Sequence, residues 1–163
     1  MSEAVFLFPG QGSQFVGMGE ALFEASETAR AVYAEANEAL GIDLAAISFE
    51  GPDEELTKTK NTQPAILTHS VAAQRMLADR GVRPRAAAGH SLGEYSAYVA
   101  AGSLAFADAL RLVRRRGELM YEAGLARPGT MAAVLGLPGD VVERLCDGLK
   151  DGVVRAANLN SPG

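Results

Sequence analysis

Ala86-Ala87-Ala88-Gly89-His90-Ser91-Leu92-Gly93-Glu94-Tyr95 reads as a short buried strand, a sharp turn and the opening of a helix. Ser91 stands at the tip, inside Gly89-x-Ser91-x-Gly93. A serine in such a turn is held in a strained backbone conformation that lifts its hydroxyl clear of both elements. Glycines two residues to either side lack a Cβ, so strand and helix can close around it. A helix beginning at Ser91 brings unpaired amides and a positive dipole end beside the hydroxyl, and places the Leu92 amide to donate to an oxyanion. An ordinary strand-to-helix turn with a solvated serine has the same pattern, which a chain with 18 glycines meets readily. The flanks favour the elbow: alanines precede it, and Glu94 to Ala100 has helical character before Gly102.

Upstream, Ala4-Val5-Phe6-Leu7-Phe8 is a continuous apolar run of strand length, the pattern of a parallel strand buried on both faces. Pro9-Gly10-Gln11-Gly12-Ser13-Gln14 ends it. Glycines around Gln11 let the backbone approach a ligand at the carboxyl end of the strand, where open α/β sheets bind ligands. A plain tight loop fits the same residues. No Gly-Lys-Ser/Thr follows, so this is not a P-loop. Gly19 to Leu40 reads as mostly helical, with Ser26 capping a second helix and Gly41 ending it. Residues 42–62 read as irregular, with helical turns at Leu44–Phe49 and Asp53–Lys58. Thr62 to Arg80 reads as a long helix capped by Thr62, with Pro64 in its first turn. His69 on this helix reads as a packed or half-exposed residue rather than a base.

Downstream, Phe106 to Gly124 is a further helix with Phe106, Ala109, Leu110, Val113, Gly117, Met120 and Gly124 along its apolar stripe. Arg111 and Arg115 fall on its outer side. Arg116 has Leu112 and Val113 one turn before it and Leu119 and Met120 one turn after. A guanidinium so flanked is partly desolvated and requires a partner, and its planar fork suits a carboxylate held bidentately. Snorkelling, or pairing with an acid of the same chain, is the competing account. After Arg127-Pro128-Gly129 the rhythm changes. Thr130 to Leu135 is strand-like, Pro138-Gly139-Asp140 starts a helix, and Val153 to Ala157 is strand-like again. The expectation is an α/β core over residues 1–127 and the incomplete start of a second subdomain, a βαβ unit, over 128–163.

At 163 residues the chain is long enough for one full core, and 48% hydrophobic with 21% charged residues is ordinary for a globular protein. A net charge of −5 gives no overall basic surface for nucleic acid. Cys146 is the only cysteine, which excludes an intrachain disulfide and a cysteine zinc cluster. No apolar run reaches membrane-spanning length, and Glu3 and Pro9 argue against a secretory signal. A cytoplasmic protein is expected. A serine nucleophile needs a base, usually histidine. The chain has only His69 and His90, and no histidine follows Ser91. Neighbouring residues of a strand-turn point to opposite sides, so His90 is expected to pack beneath the elbow. The base is then His69 in an unusual order or a histidine beyond Gly163, the second being favoured.

Four stretches together resemble the malonyl-CoA:acyl-carrier-protein transacylases of type II fatty-acid synthesis: Phe8 to Gln14, Thr62-Gln63-Pro64-Ala65, Gly89 to Tyr95, and Asn160-Ser161-Pro162-Gly163. The resemblance covers the whole chain and about the first half of the family's length. It implies an α/β-hydrolase-like parallel-sheet core with an inserted ferredoxin-like small subdomain. It implies that Ser91 carries the malonyl group between coenzyme A and the carrier protein's phosphopantetheine thiol. Gln11 and the Leu92 amide would form the oxyanion hole, Arg116 would grip the malonate carboxylate, and Asn160 would line the site. No cofactor is implied beyond the thioester substrate, and the full-length form is expected to be a monomer. The family's catalytic histidine is absent here, so the 163-residue chain alone is expected to be inactive. A serine esterase, a non-catalytic fragment that binds an acidic carrier through Arg111, Arg114 and Arg115, and a polyketide synthase domain are the competing readings. The nearness of Met1 to the first strand favours a free-standing enzyme.

Overall fold

The computed structural model describes residues 4–160. The apolar run forms strand β1 (Ala4–Phe8), and the alanine run forms β2 (Pro84–Gly89). The two pair in parallel, with Val5 opposite Ala86, Leu7 opposite Ala88 and Phe8 opposite Gly89. Parallel neighbours need a crossover. Here it is made by five helices: α1 (Glu20–Ala25), α2 (Glu27–Leu40), α3 (Leu44–Phe49), α4 (Asp53–Leu56) and α5 (Thr59–Asp79). After the elbow come α6 (Gly93–Ala100) and α7 (Phe106–Ala126), and then α8 (Gly139–Gly148). The chain divides into two compact units between Arg127 and Pro128.

In the first unit the local signals act as their chemistry requires. The Ser26 side chain accepts from the Ala29 amide at the start of α2, and Gly41 ends that helix in the left-handed region. Asp43 caps α3 in the same way through the Ala46 amide. The core is mainly helical. Val32, Tyr33, Leu44, Leu56, Ile66, Leu67, Val71, Leu92, Leu110 and Val113 are fully buried, each contributing about 1.5–3 kcal/mol by leaving water. Helix α5 runs through its middle, and Asn61 to Thr68 are buried on every side.

Three expectations are corrected here. The first concerns β1, which is not buried on both faces: Val5 is 61% and Leu7 77% exposed. Among the described residues the sheet has two strands, with α6 packed on it, so alternate side chains of β1 have nothing above them. Ala86 and Ala88 on β2 are exposed as well. The second concerns Thr62, which does not cap α5. That helix starts at Thr59, and Thr62 is buried with its hydroxyl donating to the Leu56 carbonyl at 2.6 Å. Pro64 therefore falls inside the helix and has no N–H for the Lys60 carbonyl one turn back. Arg114 of α7 donates to that carbonyl instead, at 3.2 Å.

The third concerns the second unit. It holds α8 but no strands among the described residues, because Thr130 to Leu135 and Val153 to Ala157 have no ladder partner. Strand-like composition makes a strand only when a neighbour takes its backbone bonds. Leu135 and Val153 are among the most exposed apolar side chains described. Helix α8 carries an Arg144–Asp140 pair at 2.7 Å, and Arg155 pairs with Asp147 at 3.0 Å. Met1 and Glu3, and the motif residues Ser161, Pro162 and Gly163, lie outside the described residues. Among the described residues no helix is long and apolar enough to cross a membrane.

Candidate active site

Ser91 has φ +53°, the one non-glycine in the left-handed region among the described residues. That conformation disfavours an L side chain by about 1–2 kcal/mol, so the surroundings must impose it. They do so through Gly89 and Gly93. A methyl on Gly89 would fall on the Gly93 backbone, and one on Gly93 would fall on the Phe8 carbonyl. Strand and helix are thus pressed together with Ser91 between them. The Gly93, Glu94 and Tyr95 amides donate to the carbonyls of His90, Ser91 and Leu92 respectively. The Leu92 amide donates to no backbone carbonyl among the described residues, which leaves it available beside the hydroxyl. The Leu92 side chain itself is fully buried.

His90 does not pack beneath the elbow. Its side chain is exposed and lies against Gly10, where a Cβ would sit 2.8 Å from Nδ1, and its amide donates to the Phe8 carbonyl. The turn at Ser91 rotates the chain away from strand alternation, so alternation no longer predicts where His90 points. His69 is half-buried on α5, with Nδ1 lacking a partner among the described residues. Burial pulls its pKa below the usual histidine range. Among the described residues the Ser91 hydroxyl accepts from a guanidinium.

That guanidinium belongs to Arg116. Its Nη2 donates to Ser91 Oγ at 2.9 Å, and its Nη1 donates to Gln63 Oε1 at 2.7 Å. Its Cζ lies 5.9 Å from the centre of the Tyr95 ring. Helices α5, α6 and α7 and the elbow therefore all meet at one cation. The other arginines of α7 differ. Arg111 pairs with Asp108 at 3.0 Å, Arg114 with Glu118 at 2.9 Å, and Arg115 with Glu118 at 3.5 Å. Arg114 also donates to Asn61 Oδ1 at 2.7 Å. Arg114, with Arg115 adding to it, holds the Glu118 carboxyl below the usual carboxylate range. Arg114 is therefore not an outward steering charge, Arg111 is paired with an acid of its own helix, and Arg115 shares Glu118 with Arg114. Among the described residues Arg116 alone of the four has no carboxylate within 4 Å.

Gln11 lies on the loop after β1, and its Nε2 donates to Thr59 Oγ1 at 3.1 Å. Asn160 is exposed in the second unit. Gln63 enters the sequence reading only within Thr62-Gln63-Pro64-Ala65, with no role of its own, yet it is fully buried and sits against Arg116. Its signal was an amide amid apolar positions of a long helix, where a buried polar group must find a partner. Met120 escaped the buried stripe: it is 47% exposed, and its Sδ accepts from Gln63 Nε2 at 3.2 Å.

Comparison with known proteins is consistent across the chain. The chain is 50% identical over its whole length to the malonyl CoA-acyl carrier protein transacylase of Bacillus subtilis, covering 52% of that protein. It is 48% identical to the protein of the same name from Escherichia coli K12, covering 53% of it. The chain thus spans about half the length of the curated relatives it matches. The crystal structure of FabD from Acinetobacter baumannii superposes with a TM-score of 0.89 at 51% identity, over 98% of this chain and 51% of that one. A malonyl-transacylase solved with a type II polyketide synthase acyl-carrier protein superposes at 0.88 and 45% identity, over 99% of this chain and 53% of that one. These structures share this chain's α/β arrangement with its small parallel sheet. With residues 5–163 matching the acyl transferase domain family, the chain belongs to that family.

Proposed function

We propose that this chain carries the nucleophile and the acid-binding arginine of a malonyl-CoA:acyl-carrier-protein transacylase. The observation that carries the reading is Arg116, a cation with no carboxylate within 4 Å among the described residues yet held 2.9 Å from the elbow serine. Ser91 Oγ attacks the thioester carbonyl, the C–S bond breaks, and the serine proton passes through a base to the departing thiolate. The carrier protein's phosphopantetheine thiol then attacks the seryl ester, and the oxygen recovers its proton. The Leu92 amide and Gln11 stabilise the oxyanion in both steps. With the Gln11 side chain engaged by Thr59, its backbone N–H is the donor assigned here, each donor being worth about 3–4 kcal/mol. Arg116 receives the malonate carboxylate, and an uncharged acyl group leaves it unmatched. The base is a histidine from outside residues 1–163. The reaction uses the coenzyme A thioester as substrate and calls for no cofactor.

The same reading makes the first unit part of an α/β-hydrolase-like core and residues 128–163 part of a ferredoxin-like subdomain, in a cytoplasmic, monomeric enzyme. The test pairs this chain with the remaining length of its relatives and weighs the protein after exposure to malonyl-CoA or acetyl-CoA. One malonyl group is expected on Ser91, absent in Ser91→Ala, with the malonyl preference of Arg116→Ala reduced by at least about tenfold. Equal loading from both donors, unchanged in Arg116→Ala, refutes the proposal. The 163-residue chain by itself is expected to stay unloaded.

A further inference from the structure

Arg116 makes two bonds of different kinds. The one to Ser91 Oγ faces the nucleophile, while the one to Gln63 faces the interior, where Gln63 is fully buried. A guanidinium on a long side chain can roll about its own axis. Bidentate capture of a carboxylate requires one edge of the fork to be held toward the ligand. We propose that Gln63 is a positioning residue whose buried carboxamide, keyed between Arg116 and Met120, fixes the roll of the guanidinium so that its Ser91-facing edge is presented to a substrate carboxylate. This deepens the role proposed for Arg116 and rests on it.

The choice of side chain supports the assignment. Holding the fork requires an acceptor, and both carboxylates and carboxamides provide one. A carboxylate at position 63 would hold Arg116 as firmly but would cancel the charge that the substrate needs to meet. A carboxamide accepts the N–H and leaves the cation unspent. The amide also cannot turn over without loss, because its Nε2 would then face the guanidinium donors. In the observed orientation Nε2 finds the Met120 sulfur at 3.2 Å, so a fully buried donor is not left alone. Helix α5 supplies the rigidity, since its residues on either side of Gln63 are buried too.

The experiment uses the chain itself, with free malonate and free acetate as probes. Its readout is nitrogen NMR of the Arg116 guanidinium, which reports both rotation of the group and ligand binding. In the unaltered protein the guanidinium is expected to rotate slowly and to respond to malonate. Gln63→Met keeps the bulk but removes the acceptor. Rotation should quicken, malonate affinity should fall about tenfold, and acetate affinity should hold within about twofold. Gln63→Glu should do what a merely structural change would not: rotation stays slow while malonate affinity falls by about tenfold or more. Should circular dichroism show that Gln63→Met does not fold, Met120→Leu loosens the same amide from the exposed side of α7 and should quicken rotation. Unchanged rotation in Gln63→Met, or in Met120→Leu where that takes its place, overturns the proposal, as does Gln63→Glu binding malonate like the parent. If malonate leaves Arg116 of the parent unaffected, the acid-binding role fails, while the rotation comparison still decides whether Gln63 positions the guanidinium.

Discussion

Replacing Gly117 by alanine sets two effects of known size against each other. Glycine inside a helix costs about 1 kcal/mol relative to alanine, so propensity alone predicts that Gly117→Ala stabilises α7. The structure predicts the reverse. A Cβ at Gly117 would lie 2.6 Å from the Thr59 carbonyl oxygen and 2.7 Å from Lys60 Cα. Both are backbone atoms of α5 and cannot rotate aside. To reach the 3.4 Å of ordinary contact, α7 must withdraw by about 0.8 Å. Overpacking of this kind costs about 1–3 kcal/mol, so the net expectation is a loss of up to about 2 kcal/mol. Urea denaturation would read this as a lower midpoint at unchanged slope.

The site should suffer more than the fold. Arg116 adjoins Gly117, and its 2.7 Å bond to Gln63 does not survive such a withdrawal. Misplacement near 1 Å costs about a hundredfold in a positioned reaction, so the malonyl preference proposed above should collapse in protein that still folds. A Gly117→Ala protein more stable by about 1 kcal/mol, with its selectivity intact, would show that the two helices do not press together as described.

Three further outcomes follow from features already described. Gly93→Ala drives a methyl into the Phe8 carbonyl and should cost about 3 kcal/mol, measured by chemical denaturation; a neutral result would remove the tight elbow. Ser91→Gly and Ser91→Ala both lose the hydroxyl, but only glycine relieves φ +53°, so the glycine form should be the more stable by about 1 kcal/mol; equal midpoints would mean that no strain is stored there. His69 is held below its ordinary pKa by burial, so the unfolded chain binds the proton first as pH falls. Stability contributed by neutral His69 is therefore present above about pH 6.5 and declines as pH drops through the folded value, and His69→Leu should flatten the denaturation midpoint across that window.

Much of the first unit was legible because its signals are local. Ser26, Gly41 and the glycines of the elbow act on backbone within a few residues, so the sequence states their effect directly. The misread parts depend on partners distant in the chain. Five apolar residues at Ala4–Phe8 signal burial on two faces, but burial also requires something to lie above Val5 and Leu7. Thr130 to Leu135 has strand composition, and composition carries no information on whether a neighbour is there to pair. Thr62 failed as a cap because helix α5 gained a turn from Thr59 while tolerating Pro64. Of the site, Ser91 and Arg116 were visible from local flanks. Gln63 was not, because its role depends on an arginine 53 positions further along the chain.

Pro64 has one consequence that its own chemistry does not suggest. A ring with no functional group leaves the Lys60 oxygen one hydrogen bond short, and Arg114 crosses over to satisfy it. That crossing ties α7 to α5 two residues before Arg116. The guanidinium beside Ser91 is thus moored in part by an imino acid on another helix, and a change at Pro64 would reach it through that tie.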